Sequence, residues 1–230
     1  MVHSQSKVDT AVKAEATVSQ RGDLPAGRRQ RRAAETRVRL FRCALELIAE
    51  RGLANVTVED ITEAADVGKG TFFNYFMKKE HVLGVMAEIQ LGKVREAAQR
   101  AEQGRQTTEE VLRRMVRGLA EEPGRSPNLA RALISSLLAS DEVRLVVRRQ
   151  MQESLGLIAG IVAAGQEEGQ VDPRLKPEKA AAQLLQACLG TVILWSLDGR
   201  PSLTSKFEET FRHFWRSIAA SPAAGGKKQR

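Results

Sequence analysis

Between Lys69 and Tyr75 the sequence reads KGTFFNY, which sets an ammonium, a glycine, a hydroxyl, two rings, an amide and a phenol within seven positions. Together these groups can grip a polyanion. The ammonium neutralises phosphate, Thr71 and Asn74 can donate to phosphate oxygens or base edges, and Gly70 lets a helix approach a groove wall. With Phe72 and Phe76 one helical turn apart and facing a core, Lys69, Gly70, Phe73 and Asn74 fall on or near the opposite side, flanked by Thr71 and Tyr75. Lys79 supplies a further cation at the start of the next segment. Two residues keep a second use at this point: Phe73 can seal a seam with a neighbouring helix, and Lys79 can belong to a solvated face.

Other chemistries find little support. His3, His81 and His213 have no second histidine or cysteine at ligand spacing, so no metal is expected. Cys43 and Cys188 each sit in a helical apolar pattern, which predicts two buried thiols rather than a disulfide or a redox pair. No Gly-rich phosphate loop and no Ser/His/Asp or Cys/His arrangement is evident, so neither catalytic residues nor a cofactor are predicted.

The elements that must position these groups are helical. Of 230 residues, 42% are hydrophobic and only 4% aromatic, with Ala, Leu, Arg and Glu dominant, which disfavours a sandwich or barrel. A first helix is predicted from about 33 to 51, with Val38, Phe41, Leu45 and Ile48 as its apolar stripe and Gly52 as its stop. Thr57 has the chemistry of an N-cap for a second short helix, with Asp60 three positions on as capping-box partner. After ADVG a third short helix runs from about 69 to 76, which makes 57–76 a helix-turn-helix candidate. Longer helices follow at about 79–104, 107–121, 126–139, 141–168, 177–198 and 203–220, giving an all-α chain of about nine helices.

Charge agrees with a polyanionic partner. Lys plus Arg number 36 against 28 acids, a net +8, and seven arginines stand between Arg28 and Arg42 against the single acid Glu35. Residues 1–32 read as a basic arm, in which Arg31 and Arg32, with Arg37 just beyond, are candidates for phosphate or minor-groove contact. A peripheral membrane helix would interleave arginine with large apolar groups, yet Leu24 is the sole large hydrophobe in 21–37. No signal-peptide core and no run near 18 apolar residues is apparent, so a cytoplasmic address without a membrane partner is expected.

From Arg37 to Leu83 the sequence RVRLFRCALELIAERGLANVTVEDITEAADVGKGTFFNYFMKKEHVL resembles the TetR-type bacterial transcription regulators. It shows their order of F-x-x-A-x-x-L-I-x-x-x-G, a Thr-capped second helix, a Val-Gly turn, K-G-T, aromatic pairs and K-E. The resemblance implies a homodimer whose N-terminal three-helix domain, 33–78, binds double-stranded operator DNA, and whose larger domain, 79–220, holds a small effector and dimerises; 221–230 read as a disordered tail. It implies that Thr57 meets a phosphate through its helix start, that Lys69, Thr71, Asn74 and Tyr75 make groove or backbone contacts, and that Lys79 lies beside a phosphate. Phe73 stands where the family commonly has tyrosine and Gly68 where serine usually caps the third helix. Repression released by the effector is the expected activity, with activation by the same contacts as the alternative.

The C-terminal helices supply candidates for the remaining roles. An apolar effector site is predicted from Met86, Ile89, Met115, Leu119, Leu133, Leu137, Met151, Leu155, Ile158 and Trp195, each of which can equally be solid core. The 177–198 segment is apolar on two faces, so Leu185, Leu189 and Val192 are assigned to a dimer seam together with Phe207, Phe211 and Phe214 of the last helix.

Overall fold

Nine α-helices carry most of residues 24–220, the part of the chain that the computed structural model describes. They are α1 (Leu24–Arg51), α2 (Val58–Ala64), α3 (Lys69–Phe73), α4 (Val82–Glu102), α5 (Thr108–Leu119), α6 (Pro127–Ala139), α7 (Asp141–Glu167), α8 (Pro177–Asp198) and α9 (Leu203–Ile218). Short 3-10 turns lie at Leu53–Asn55, Lys79–His81 and Pro123–Arg125, and among the described residues the β-type pairing is an isolated bridge of Val171 with Ala219. The expected arm before residue 24 and the tail from 221 lie outside the described residues.

Helix α1 begins at Leu24, well before the predicted start near Ala33. Pro25 falls in the first turn, where its missing N–H leaves no helical bond unmade, and the Arg and Gln residues that follow Gly27 are strong helix formers. Its end falls where the sequence predicts: Gly52 takes φ +77 while its N–H bonds Ile48 O at 2.9 Å. The α2 start forms a complete capping box, in which Asp60 N donates to Thr57 Oγ1 (3.1 Å) and Thr57 N donates to Asp60 Oδ2 (2.7 Å). Helix α3 is shorter than predicted, ending at Phe73, and the chain turns out of it with Tyr75 N and Phe76 N both bonded to Phe72 O at 2.9 Å.

The described chain forms two compact units, one comprising residues up to Gly92 with Arg125–Arg148, the other Lys93–Gly124 with the chain from Arg149 onward. In the first unit Leu40, Phe41, Ile48, Ile61, Phe72, Phe76, Leu83 and Met86 form one core, and α6 adds Leu129 and Ala132 to it. Polar bonds fasten α6 there: Ser126 Oγ and Asn128 Nδ2 donate to Ala49 O at 3.1 and 3.0 Å. Those two bonds satisfy a carbonyl near the end of α1 that has no partner within its helix.

In the second unit α9 packs on α8 and α5. Phe207, Phe211 and Phe214 are buried inside their own chain, and the Arg113 guanidinium lies 5.6 Å from the Phe211 ring centre. Their assignment to a dimer seam is therefore corrected: the amphipathic stripe of α9 serves the intramolecular core. Gly165 permits close contact of α7 with the start of α5, since a Cβ there would stand 2.6 Å from Thr108 Oγ1. Lys93 Nζ joins Gly118 O, Glu122 Oε2 and Glu121 Oε2 at 2.5, 2.5 and 3.2 Å, which compensates the buried Glu122 carboxylate.

Helix α8 buries Leu184, Cys188 and Trp195 but leaves Leu189, Ile193, Leu194 and Leu197 exposed, the last two at 69% and 75%. Leu185 and Val192 are half-buried. Contrary to the reading of the sequence, α8 is long and apolar enough by length and composition to cross a membrane. Part of that apolarity is spent inside the second unit, where the Trp195 indole N–H also donates to Pro201 O at 2.7 Å.

Candidate nucleic-acid interface

The turn Ala65–Gly68 sets α3 beyond α2, and Phe72 holds it there. Phe72 is fully buried, with Phe73 edge-on at 5.6 Å and Phe76 at 5.4 Å between ring centres. Anchored on that side, α3 leaves Lys69, Gly70, Phe73 and Asn74 exposed, with Thr71 and Tyr75 half-buried beside them. Phe73 is 48% exposed, so its ring leans on Phe72 and still presents a face outward. A Cβ at Gly70 would meet nothing within 4 Å, and the glycine is thus dispensable for packing within the free chain. Gly68 opens α3 without any side-chain cap, as its residue type dictates.

The cations are less available than their sequence positions imply. Arg37 is turned toward α4, where its Nη2 donates to Glu88 Oε1 and Oε2 at 3.0 and 2.9 Å, so it braces α1 against α4. Lys79 Nζ donates to Leu53 O and Val56 O, both at 2.8 Å, which ties the start of the α4 segment to the turn ahead of α2. In the free protein these two residues act as struts. Lys69 is paired with Glu59, and Arg31 stands 3.6 Å from Glu35 along the exposed side of α1; Arg32 is exposed as well. Lys78, beside the strut Lys79, is exposed; the Glu142 carboxyl is held below its ordinary pKa by its own backbone N–H and the Ser140 hydroxyl first, and by Lys78 after them.

Two acids in the first turn of α2, Glu59 and Asp60, are held ionised by their partners. Bonding by Lys69 holds the Glu59 carboxyl below its ordinary pKa. The Thr57 hydroxyl and N–H do the same for Asp60, helped by Arg51 at 3.6 Å. Thr57 is exposed, yet both its hydroxyl and its N–H are engaged with Asp60. The roles of Glu59 and Glu88 were not legible in the sequence, because each lies far along the chain from its cation and no helical spacing links the pairs.

The predicted effector residues are divided between the two units. Met86 and Ile89 are buried in the first unit's core, and Leu133 packs against it. These three therefore hold the reading helices together, which corrects their assignment to a cavity. Leu137 is half-buried in the same unit, whereas Met115, Ile158 and Trp195 are buried, Leu119 and Leu155 half-buried and Met151 exposed in the second. An open groove of about 480 Å³ in the second unit is lined instead by Gln183, Ala187, Thr191, Thr210, His213, Phe214 and Ser217.

One long and two short helices on a shared aromatic core, the last presenting a cation, a glycine and an amide outward, define a helix-turn-helix DNA-binding protein. Residues 40–86 match the profile of the bacterial regulatory proteins of the tetR family. Thermus thermophilus FadR, a TetR-family transcriptional repressor whose structure was determined with lauroyl-CoA, is 31% identical; the alignment covers 83% of this chain and all of that one, with a TM-score of 0.60. The regulator TcmR of Streptomyces glaucescens is 33% identical over 147 residues, 60% of this chain and 63% of TcmR. EthR of Mycobacterium tuberculosis is 25% identical over 205 residues, which cover 86% of this chain and 94% of EthR. The chain belongs to the TetR family, and as such is a ligand-responsive DNA-binding regulator of transcription and not an enzyme.

Proposed function

We propose that the chain is a cytoplasmic repressor that binds a palindromic operator as a homodimer and is released by a small, mainly apolar effector. The carrying observation is α3, pinned by Phe72 and Phe76 and exposing Lys69, Gly70, Phe73 and Asn74 together. One such helix reads only a few base pairs, too few to single out a site in a genome, so two reading heads related by two-fold symmetry are required. The exposed α8 stripe of Leu189, Ile193, Leu194 and Leu197, flanked by Leu185 and Val192, suits the self-complementary seam that joins them. The lauroyl-CoA complex of the Thermus thermophilus relative makes a long acyl chain the first compound to try.

Selection of bound duplexes from a random library, followed by fluorescence anisotropy on the enriched sequence, tests this reading. A two-fold symmetric motif bound at two chains per duplex supports it, as does release by lauroyl-CoA and not by coenzyme A. An asymmetric motif bound by one chain would overturn the dimeric reading, and binding indifferent to acyl compounds would overturn the effector class.

A further inference from the structure

We propose that Glu59 competes with DNA phosphate for Lys69, and so sets how tightly the reading helix holds DNA of any sequence. Lys69 is the first residue of α3 and Glu59 lies in the first turn of α2; the turn at 65–68 brings them together, and the ammonium donates to Glu59 Oε1. The side chains are 56% and 59% exposed, so the pair lies open to a competing anion. Arg37 differs, being held by both oxygens of Glu88 with each partner about two-thirds covered, and Lys79 differs again, giving two bonds to backbone carbonyls. Exposed ion pairs are weak, so among these three cations Lys69 is the one that phosphate can take at least cost.

The competition has a direction. When Lys69 turns to a phosphate, Glu59 is left as an uncompensated carboxylate on the element beside the docked helix. Asp60, its neighbour, stays bonded to Thr57 and near Arg51 throughout and does not contribute to the exchange. Because phosphates are common to every duplex, the penalty falls on operator and random DNA alike. The proposal rests on α3 docking against DNA through Lys69.

The test uses the full-length chain and fluorescence anisotropy at about 0.1 M salt, with a random-sequence duplex and the selected operator. The proteins are wild type, Glu59→Gln, Glu59→Asp, Lys69→Ala and the Glu59→Gln/Lys69→Ala double variant, each checked by thermal melting. Lys69→Ala should bind more weakly, Glu59→Gln about two- to fivefold more tightly on both duplexes, Glu59→Asp like wild type, and the double variant like Lys69→Ala. Loss of fold in Glu59→Gln would weaken binding, opposite to the expected change. If Lys69→Ala weakens binding but Glu59→Gln does not tighten it, or tightens it equally without Lys69, the competition is overturned while the docking stands. If Lys69→Ala binds as wild type, Lys69 is no contact and the docking on which the proposal rests fails at that residue.

Discussion

Arg37 of α1 and Glu88 of α4, 51 positions apart, are joined by two hydrogen bonds of 3.0 and 2.9 Å from a single guanidinium nitrogen. The pair closes the first unit across its longest helices, so Arg37→Ala should act on stability before it acts on DNA. With each partner roughly a third exposed, solvent screens the interaction, and a loss of about 1 kcal/mol is expected. Urea melts of Arg37→Ala, Glu88→Ala and the double variant check this: the double variant should be less destabilised than the sum of the singles. Strict additivity, with weakened DNA binding in Arg37→Ala alone, would return Arg37 to the DNA surface.

Lys79→Ala should cost about 1 to 3 kcal/mol, because it removes the donor shared by Leu53 O and Val56 O and loosens the turn that leads into the Thr57 capping box. Operator and random DNA should then be weakened by similar factors, through the displaced α2 start. Thermal melting separates this from simple loss of a phosphate contact, which would leave the melting temperature unchanged.

Two glycines should respond oppositely to the same methyl group. Gly165→Ala would press a Cβ to 2.6 Å from Thr108 Oγ1 and should destabilise the second unit by about 1 to 3 kcal/mol. Gly70→Ala meets nothing in the free chain and should hold or raise stability, by up to about 1 kcal/mol, while reducing operator affinity where α3 approaches a groove wall. Melting and anisotropy on both variants decide it. Undiminished operator affinity in Gly70→Ala would mean that the helix does not come that close.

Leu189→Glu with Ile193→Glu should give a soluble, helical monomer with little operator affinity, since both side chains are exposed on α8 in the single chain. Phe211→Ala, by contrast, should cost about 3 to 5 kcal/mol by opening a cavity in the second unit, with helicity lost on mild heating. Sedimentation velocity and circular dichroism at micromolar concentration distinguish the two. A double variant on α8 that still sediments as a dimer would place the seam elsewhere.

Burial pushes the Cys188 thiol up to about 12, so at neutral pH it is protonated and a poor nucleophile. The folded pKa exceeds the ordinary thiol value of 9.0, so the stabilising contribution is complete below pH 9.0 and is lost as pH rises toward 12. Iodoacetamide at pH 8 should leave Cys188 unmodified until the protein is unfolded in guanidinium. Cys43, half-buried and raised by burial and by Glu46, should react slowly but before Cys188. Mass spectrometry of the alkylated peptides measures both.

The sequence alone determined the fold class, the capped α2 and the outward set on α3, because each follows from local rules. Thr57 and Asp60 lie three residues apart and bond within one turn, and Phe72 and Phe76 fix one side of α3, so the other side follows from helical spacing. Helical periodicity also exposed the apolar stripe of α9, but a stripe records only that a face is covered. Whether the cover is another helix of the same chain or a second copy was decided by tertiary packing, which spent Phe207, Phe211 and Phe214 on α8 and α5 and left the far side of α8 bare. The same holds for charge. Arg37, Lys69 and Lys79 advertise a phosphate surface in the sequence, yet their partners are Glu88, Glu59 and two carbonyls that only the folded chain brings within reach. An ion pair between residues remote in sequence depends on turns and crossing angles that no periodicity encodes. The type of each cation was therefore readable from the sequence, and its availability to DNA was not.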